Sequence, residues 1–420
     1  MDQITAKSGI QALNDDIMIE GTTRFTISEV VRLSFVSICT PSLLQRGRTV
    51  SQIGVTSLFP SHRTPFHQAS HSKISQRNLS MTTTSEKGAK WRVLIASVPP
   101  PVAVEELGST QDISVEYPSP EKPLTHAQVL SYLKKSKENS TPIHGCYISS
   151  NKFDKEVIEA GLPHLQVIST QSVGFNNIDI ESAKEHDIRV GHTPDVLTDT
   201  TADSVVLLVL AACRRAKEGL KYAEKGVWDS WNPEFMVGVD VHHAKVGIVG
   251  LGRIGSAVAR RLHAFGCKIL YSSVRGRKGK EKSEAKEFGG ELRDFDDLIA
   301  EADIIIPTCP LTDESKGLFD KDVFSKMKKT AVFANAARGG LVNQDDLYEA
   351  LKEERIFAAG LDVATPEPLP KDHKLLTLDN CFITPHIGSA STGTRNEMAK
   401  MAADNLINAL RKKPMRAAVV

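Results

Sequence analysis

Short apolar runs alternate with amphipathic segments along the chain from Trp91 onward. Each apolar run is bounded by polar or glycine positions and has about four to eight residues, which is typical of a buried strand. The runs are WRVLIAS, GCYIS, LQVIST, IRVGH, KVGIVG, KILYS, DIIIPT, AVFAN, AAGLDV and CFITPH. Strands that alternate with helices form parallel sheets with right-handed crossovers. The pattern therefore predicts an α/β protein built from doubly wound parallel sheets.

One helical segment is much longer than the others. It follows IRVGH and runs through ADSVVLLVLAACRRAKEGLKYAEKG to about Gly226. Asp199, Thr200 and Thr201 precede it, and their side chains suit the cap of a helix N-terminus. The pattern predicts a single long helix that begins at one of these residues.

The first part of the chain differs in composition from the rest. Residues 30–85 contain no Asp or Glu but hold six Lys or Arg among many Ser and Thr. This composition is typical of an organelle transit peptide, although the chain starts with acidic residues. A disordered extension is the equally weighted alternative, so the compartment stays open between cytoplasm and mitochondrion. Either way we exclude residues 1–88 from the fold.

Composition and charge limit the classes of function. The chain is 40% hydrophobic and 25% charged, with a formal net charge of +1, which fits a globular enzyme and gives no field that recruits nucleic acid or membrane. Its six cysteines have no close pair, which argues against a disulfide framework or a zinc site. The longest apolar run, at 205–213, is too short to span a bilayer. We expect no metal, membrane or nucleic-acid partner.

A glycine-rich loop follows the strand KVGIVG. The sequence GLGRIG places three glycines in the spacing of a dinucleotide-binding loop, between an apolar strand and an amphipathic helix. Such glycines allow a tight turn, close approach of a pyrophosphate and close packing of the helix on the sheet. The predicted cofactor-binding residues of this loop are Gly250, Gly252, Arg253, Ile254 and Gly255.

The next strand indicates which dinucleotide binds. An acidic residue that holds the adenosine ribose of NAD is expected at the end of this strand, roughly 20 residues after the loop. The chain has Ser272 and Ser273 there, followed by Arg275 and Arg277. Hydroxyls and guanidinium groups suit a 2′-phosphate, whereas a carboxylate would repel it. The sequence therefore favours NADP(H), with NAD(H) as a weaker cofactor.

Three ionisable residues follow later strands. Arg338 comes after AVFANAA, Glu367 lies in TPEPLP, and His386 lies in TPHIGSAS. The carboxyl ends of parallel strands share one edge of a sheet, where ligands bind. Reduction of a 2-keto acid needs a cation for the carboxylate and a proton donor for the ketone oxygen. We predict Arg338 for the first role, His386 for the second, and Glu367 to orient the imidazole.

In their order, these motifs resemble the D-2-hydroxyacid dehydrogenase family. The resemblance is carried by GLGRIG, NAARGGLVNQDDL, AAGLDV with PEPLP, and PHIGSA, and it extends to VISTQSVGFNNID and RVGHTPDVLTDTTAD. It is nearest to members that reduce glyoxylate and hydroxypyruvate. It implies a substrate domain of residues 89–191 completed by 386–420, an NADP(H)-binding domain of 192–385, a cleft between them, and a homodimer.

The resemblance also implies further site residues. Four match positions that line the cofactor: Pro310, Ala336, Asp362 and Gly388. The backbone amides of Ser172, Val173 and Gly174 match a loop that shares the substrate carboxylate with Arg338, while His386 faces the same substrate. Trp231 matches a tryptophan that reaches the partner subunit's pocket.

Three alternatives remain open from the sequence. The substrate is glyoxylate, hydroxypyruvate or pyruvate, because FNNID and the alanine in NAARGG leave the choice unsettled. An NAD-dependent enzyme such as 3-phosphoglycerate dehydrogenase would want an acid near Ser272. A dinucleotide-sensing corepressor on the same fold would keep the Arg338, Glu367 and His386 set without turnover.

Overall fold

The computed structural model describes residues 88–228 and 232–420, together with two short strands near the N-terminus. These strands, β1 (Ile17–Ile19) and β2 (Thr23–Phe25), pair antiparallel as a unit of their own. The predicted extension and its targeting signal otherwise lie outside the described residues. Trp231 lies outside them as well.

Five parallel strands form the first sheet. They are β3 (Trp91–Ile95), β4 (Ile113–Glu116), β5 (Gly145–Ile148), β6 (Val167–Thr170) and β7 (Arg189–Gly191). Their order in the sheet is β4-β3-β5-β6-β7. Four helices connect them: α1 (Pro101–Gly108), α2 (His126–Glu138), α3 (Lys155–Ala160) and α4 (Ile180–Glu185).

Seven parallel strands form the second sheet. They are β8 (Lys245–Val249), β9 (Lys268–Ser272), β10 (Glu291–Leu292), β11 (Ile304–Pro307), β12 (Val332–Asn335), β13 (Ala358–Leu361) and β14 (Cys381–Ile383). Their order is β10-β9-β8-β11-β12-β13-β14. The order reverses between β8 and β11, which is where an open parallel sheet binds its ligand. The predicted α/β fold with parallel sheets is confirmed.

Helices cover both faces of the second sheet. They are α5 (Thr198–Cys213), α6 (Ala216–Lys225), α7 (Arg253–Ala264), α8 (Phe295–Glu301), α9 (Lys321–Lys326) and α10 (Gln344–Lys352). The sheet strands are apolar on both sides because each face packs on helices, as shown by separate cores around Ile248 and around Ile305.

The last helix, α11 (Thr392–Leu410), returns to the first sheet. Its buried residues Ala399, Ala402 and Leu406 join Val93 and Val167 in one core. The chain thus leaves the first sheet after β7 and comes back to it after β14. The assignment of domain boundaries at 191 and 386 agrees with this path but stays a prediction.

The predicted long helix is wrong in one respect, because it is two helices. Helix α5 ends at Cys213 and α6 starts at Ala216, with Arg215 in the left-handed region at φ 51°. The carbonyl of Cys213 accepts a hydrogen bond of 3.0 Å from the amide of Val239, so a later segment takes the acceptor that a continuous helix would use. The predicted cap is wrong as well. The residue at the N-cap position is Leu197, which makes no side-chain capping hydrogen bond, and Asp199, Thr200 and Thr201 lie inside α5.

Gly360 in β13 allows close contact between the sheet and α5. A methyl group added there would lie 2.7 Å from the carbonyl oxygen of Leu208. Backbone cannot yield as a flexible side chain does, so we expect Gly360→Ala to lower the free energy of unfolding by about 1–3 kcal/mol. Urea denaturation followed by circular dichroism measures the change. The control is Gly393→Ala, where an added methyl meets no atom within 4 Å. A Gly360→Ala protein as stable as the wild type would contradict this packing.

Candidate active site

The glycine loop has the backbone geometry that a dinucleotide needs. Gly250 has φ 96°, and a methyl group there would lie 2.8 Å from the amide nitrogen of Cys309. A methyl group at Gly255 would lie 2.7 Å from the carbonyl oxygen of Gly250, so Gly255 allows α7 to pack against the turn. At Gly252, by contrast, an added methyl meets no atom within 4 Å. The space beside Gly252, at the N-terminus of α7, fits a pyrophosphate.

Two other residues of this loop have different environments. Ile254 is half-buried and packs against the core on one face of the second sheet. Arg253 is exposed and forms an ion pair of 2.9 Å with Asp195, which has φ 70° in the segment between β7 and α5. An exposed ion pair is weak, so the Arg253 guanidinium remains available to a phosphate.

The end of β9 presents a hydroxyl instead of a carboxylate. Ser272 is 3% exposed, and its Oγ makes no hydrogen bond among the described residues. A buried hydroxyl without a partner is costly, and a bound ribose or phosphate would relieve that cost. Ser273 follows it and is half-buried.

Both arginines after β9 have acidic neighbours that are distant from them in the sequence. The guanidinium of Arg275 lies 5.2 Å from the centre of the Phe295 ring, with its nitrogens 3.7 Å from Asp296 and 3.8 Å from Asp320. Arg277 forms an ion pair with Glu314. Each pair is partly exposed, so its strength in water is small. The local charge is nevertheless less positive than the sequence alone indicated.

Arg338 lies between the two sheets' loops. It follows β12, and a methyl group added at Gly174 would overlap its guanidinium. Among the described residues, its side chain donates one hydrogen bond, to the carbonyl of Ala337 at 2.6 Å. Burial lowers the pKa of the guanidinium, and the nearby charge of Glu367 opposes that shift. The structure thus brings Arg338 together with Gly174, from the predicted carboxylate loop.

Glu367 and His386 form a direct pair. Nδ1 of the imidazole and Oε2 of the carboxylate are 2.7 Å apart, and the other carboxylate oxygen accepts a hydrogen bond of 2.9 Å from the amide of Ala364. Nε2 of His386 has no hydrogen-bond partner within the described part of the chain, and the side chain is 50% exposed. The pair therefore holds one imidazole nitrogen and leaves the other open.

The electrostatic environment keeps Glu367 ionised. Burial alone would raise the pKa of its carboxyl group. The hydrogen bonds from His386 and the Ala364 amide, with the charge of Arg338, outweigh burial and lower that pKa below its ordinary value. An ionised Glu367 accepts a hydrogen bond from the N–H group at Nδ1 of His386, and this bond fixes the tautomer of the imidazole.

Asp362 stabilises the loop that carries His386 through several hydrogen bonds. Its carboxylate accepts hydrogen bonds from the amides of Ile387 at 2.8 Å and Gly388 at 2.7 Å, and from the Thr384 hydroxyl at 2.6 Å. Its carbonyl accepts from the amide of His386 at 2.9 Å. His386 has φ 55°, a left-handed conformation that costs about 1–3 kcal/mol and persists only where surrounding contacts offset that cost. These bonds supply that support.

Gln344 was not identified from the sequence. Its side-chain amide donates to the carbonyl of Thr365 at 2.6 Å, and its oxygen accepts from the amide of Thr365 at 2.8 Å. These two hydrogen bonds join the start of α10 to the loop that ends at Glu367. The only signal was the phrase VNQDDL, whose Asn343 caps α10.

The remaining predicted residues have these positions. The carbonyl of Val173 accepts a hydrogen bond from Nδ1 of His192 at 2.9 Å, in one tautomer of that imidazole. Pro310 follows β11, and its carbonyl accepts from the Ser315 hydroxyl at 2.7 Å. Ala336 is half-buried after β12 and packs on the core around Ile248. All of them lie beyond carboxyl ends of strands.

Three further observations concern the described residues only. Five free cysteines are buried there. No group of three or more His, Cys, Asp or Glu is placed to hold a metal ion. No helix in this part of the chain combines the length and apolar character needed to cross a membrane.

Proteins related to the chain are named as reductases of glyoxylate or of glyoxylate and hydroxypyruvate. The chain is 50% identical over 275 residues to human glyoxylate reductase/hydroxypyruvate reductase, covering 65% of this chain and 82% of the relative. It is 44% identical over 260 residues to glyoxylate reductase of Korarchaeum cryptofilum, covering 61% of this chain and 76% of the relative. A family model described as "D-isomer specific 2-hydroxyacid dehydrogenase, NAD binding domain" matches residues 206–388.

Solved structures of similar fold match most of the chain. The TT0316 protein of Thermus thermophilus has a TM-score of 0.70 and 37% identity, over 78% of this chain and all of that one. An NADPH-dependent glyoxylate/hydroxypyruvate reductase of Sinorhizobium meliloti, solved with NADP and malonate, has a TM-score of 0.66 and 28% identity. That match covers 79% of this chain and 97% of the other.

The dinucleotide loop, the paired His386 and Glu367 and these relatives agree. The chain belongs to the D-isomer specific 2-hydroxyacid dehydrogenase family and is an NAD(P)-dependent oxidoreductase.

Proposed function

We propose that the protein reduces glyoxylate and hydroxypyruvate to glycolate and D-glycerate with NADPH, and that His386 is the general acid. The relatives named above support the reductase reaction. The observation that carries the proposal is the placement of Arg338. Its guanidinium lies against Gly174 and interacts electrostatically with Glu367.

Arg338 binds the substrate carboxylate in this proposal. Most of its guanidinium N–H groups are free within the described residues, because the side chain donates only to Ala337. A half-buried cation without an anion is unfavourable, and burial accordingly lowers its pKa. A carboxylate with two hydrogen bonds to the guanidinium would offset that cost. The amides of Val173 and Gly174 lie in the adjacent loop and complete the binding site.

His386 delivers the proton. With Nδ1 held by Glu367, the open Nε2 carries the proton that the ketone oxygen takes up on reduction. Reduced nicotinamide supplies the hydride when bound. Glu367 stays negative because its pKa is lowered, so it stabilises the protonated imidazole before transfer. In the reverse reaction the same imidazole accepts the hydroxyl proton.

The two residues should fail differently when replaced. We expect His386→Gln to lower kcat by about 10²–10⁴-fold with a small change in KM, because it removes general acid catalysis. Arg338→Ala should raise KM for glyoxylate by about 10–100-fold, the worth of a charge-assisted hydrogen-bond pair. Steady-state kinetics with NADPH measure both effects.

The matched control is Arg355→Ala, a surface arginine that pairs with Glu353. It should leave both constants unchanged. A His386→Gln enzyme with kcat close to that of the wild type would contradict the proposed role. A wild-type protein that binds NADPH but turns over neither keto acid would instead favour the corepressor alternative.

NADPH is preferred over NADH in this proposal. Three features support this preference. Ser272 stands in the place of a carboxylate, its buried hydroxyl has no hydrogen-bond partner among the described residues, and two arginines follow it. Their acidic neighbours are partly exposed, and a dianionic 2′-phosphate competes well with single carboxylates for a guanidinium.

The ratio of kcat/KM for NADPH and NADH tests the preference. We expect the wild type to favour NADPH, and Arg277→Ala to lower kcat/KM for NADPH by about tenfold while sparing NADH, since only the phosphate contact is lost. Ser272→Asp should reverse the preference. Preference of the wild type for NADH would refute the assignment.

A homodimer is the remaining part of the proposal. Large apolar side chains are exposed on and after α5 and α6: Leu207 at 50%, Leu220 at 58%, Val227 at 52%, Trp228 at 65% and Val237 at 57%. Exposed apolar side chains of this size favour burial against a partner. We propose a second copy of the chain as that partner.

Sedimentation of the full chain tests the homodimer. We expect the mass of two chains for the wild type, and a shift toward one chain in Leu220→Glu, because a buried carboxylate without a partner is costly. The control is Val98→Glu, at an apolar side chain that is 43% exposed after β3 of the first sheet. A wild type that sediments as a single chain would contradict the proposal.

A further inference from the structure

The loop that follows β6, residues 171–177, is fixed mainly by contacts to its own sheet. The carbonyl of Val173 accepts from His192, and the side-chain amide of Asn177 donates to the carbonyls of Ser149 at 3.2 Å and Asn151 at 2.8 Å. These partners all belong to the segment that builds the first sheet. They set the loop's shape but not its distance from the second sheet.

Asn176 makes a different contact. Its side-chain amide donates a hydrogen bond of 3.0 Å to the carbonyl oxygen of Leu311, which lies in the loop after β11 of the second sheet. The loop after β11 has internal hydrogen bonds of its own, because Ser315 is 1% exposed and its hydroxyl donates to Pro310 and accepts from the amide of Thr312. The Asn176 amide therefore joins two internally hydrogen-bonded loops that belong to different sheets.

The loop after β11 also touches the loop that carries Arg338. A methyl group added at Gly340 would lie 3.0 Å from Cδ2 of Leu311, so the Leu311 side chain lies directly on Gly340. The carbonyl of Gly340 accepts a hydrogen bond of 2.9 Å from the amide of Gly317. Leu311 is thus adjacent both to Pro310, a predicted cofactor position, and to the segment after Arg338.

We propose that Asn176 is a positioning residue, which through its bond to Leu311 sets the Val173–Gly174 loop at the distance from Arg338 that a keto acid carboxylate requires. The proposal rests on the proposed function of this site. It makes substrate affinity depend on the loop after β11, to which Asn176 fixes the carboxylate-binding loop. Asn176 itself does not touch the reacting atoms.

The test compares Asn176→Ala with Asn176→Gln in the full-length protein. Loss of one neutral hydrogen bond is worth about three- to tenfold in affinity. Asn176→Ala should raise KM for glyoxylate, and Kd for the unreactive analogue oxamate in the NADPH complex, by that factor, with kcat and the Kd of NADPH alone within about twofold of the wild type. Asn176→Gln keeps the donor and should restore most of the lost affinity.

Two controls separate positioning from general damage. Asn139→Ala removes an exposed side-chain amide at the C-terminal end of α2 and should change nothing. Hydrogen exchange of the amides in 171–177, measured with NADPH bound, should be faster in Asn176→Ala than in the wild type. This exchange measurement needs no turnover, so it distinguishes a failure of this proposal from a failure of the proposed reaction.

Two results would overturn the proposal. One is an oxamate Kd and an exchange rate in Asn176→Ala that equal those of the wild type. The other is a loss of NADPH affinity in Asn176→Ala as large as the loss of oxamate affinity, together with lower thermal stability. That result would indicate a structural role and not a positioning role.

Discussion

A half-buried guanidinium with a single side-chain hydrogen bond among the described residues is the constraint on which the rest of this site depends. Arg338 donates to the carbonyl of Ala337 and lies against Gly174, where only a glycine leaves room for it. Its charge is unfavourable there until an anion arrives, and its lowered pKa reflects that burial. The same charge helps to hold Glu367 ionised, and Glu367 in turn orients His386. One cation thus links the proposed carboxylate site to the carboxylate that orients the proposed proton donor.

The surrounding backbone is built to keep these groups in place. Asp362 satisfies the amides of the His386 loop, and Gln344 pairs with both backbone groups of Thr365 before Glu367. Close glycine contacts at Gly339, against Ala364, and at Gly360, against Leu208, bring neighbouring loops and helices to short range. A rigid site of this kind pre-organises charge, which is how most of the rate enhancement arises in polar reactions.

Local patterns in the sequence were sufficient for ten of the twelve strands of the two parallel sheets, for the glycine loop and for the order of Arg338, Glu367 and His386. Those features depend on residues that are close in the chain. The break at Arg215 depends on Val239, which takes the Cys213 carbonyl, and no local signal announces it. The short strands β4 and β10 were missed because ISVE is half polar and EL has two residues. The acidic neighbours of Arg275 and Arg277, and the bond from Asn176 to Leu311, likewise join residues far apart in sequence.

The central claim is that Arg338 and the Val173–Gly174 loop together hold the carboxylate of a 2-keto acid beside His386. A crystal structure of the protein with NADPH and oxamate tests it most directly. The account predicts both carboxylate oxygens of oxamate within hydrogen-bond distance of the Arg338 guanidinium or the loop amides. The amide oxygen of oxamate, which takes the place of the substrate ketone oxygen, should face Nε2 of His386. A carboxylate bound elsewhere, with Arg338 turned away from Gly174, would contradict it.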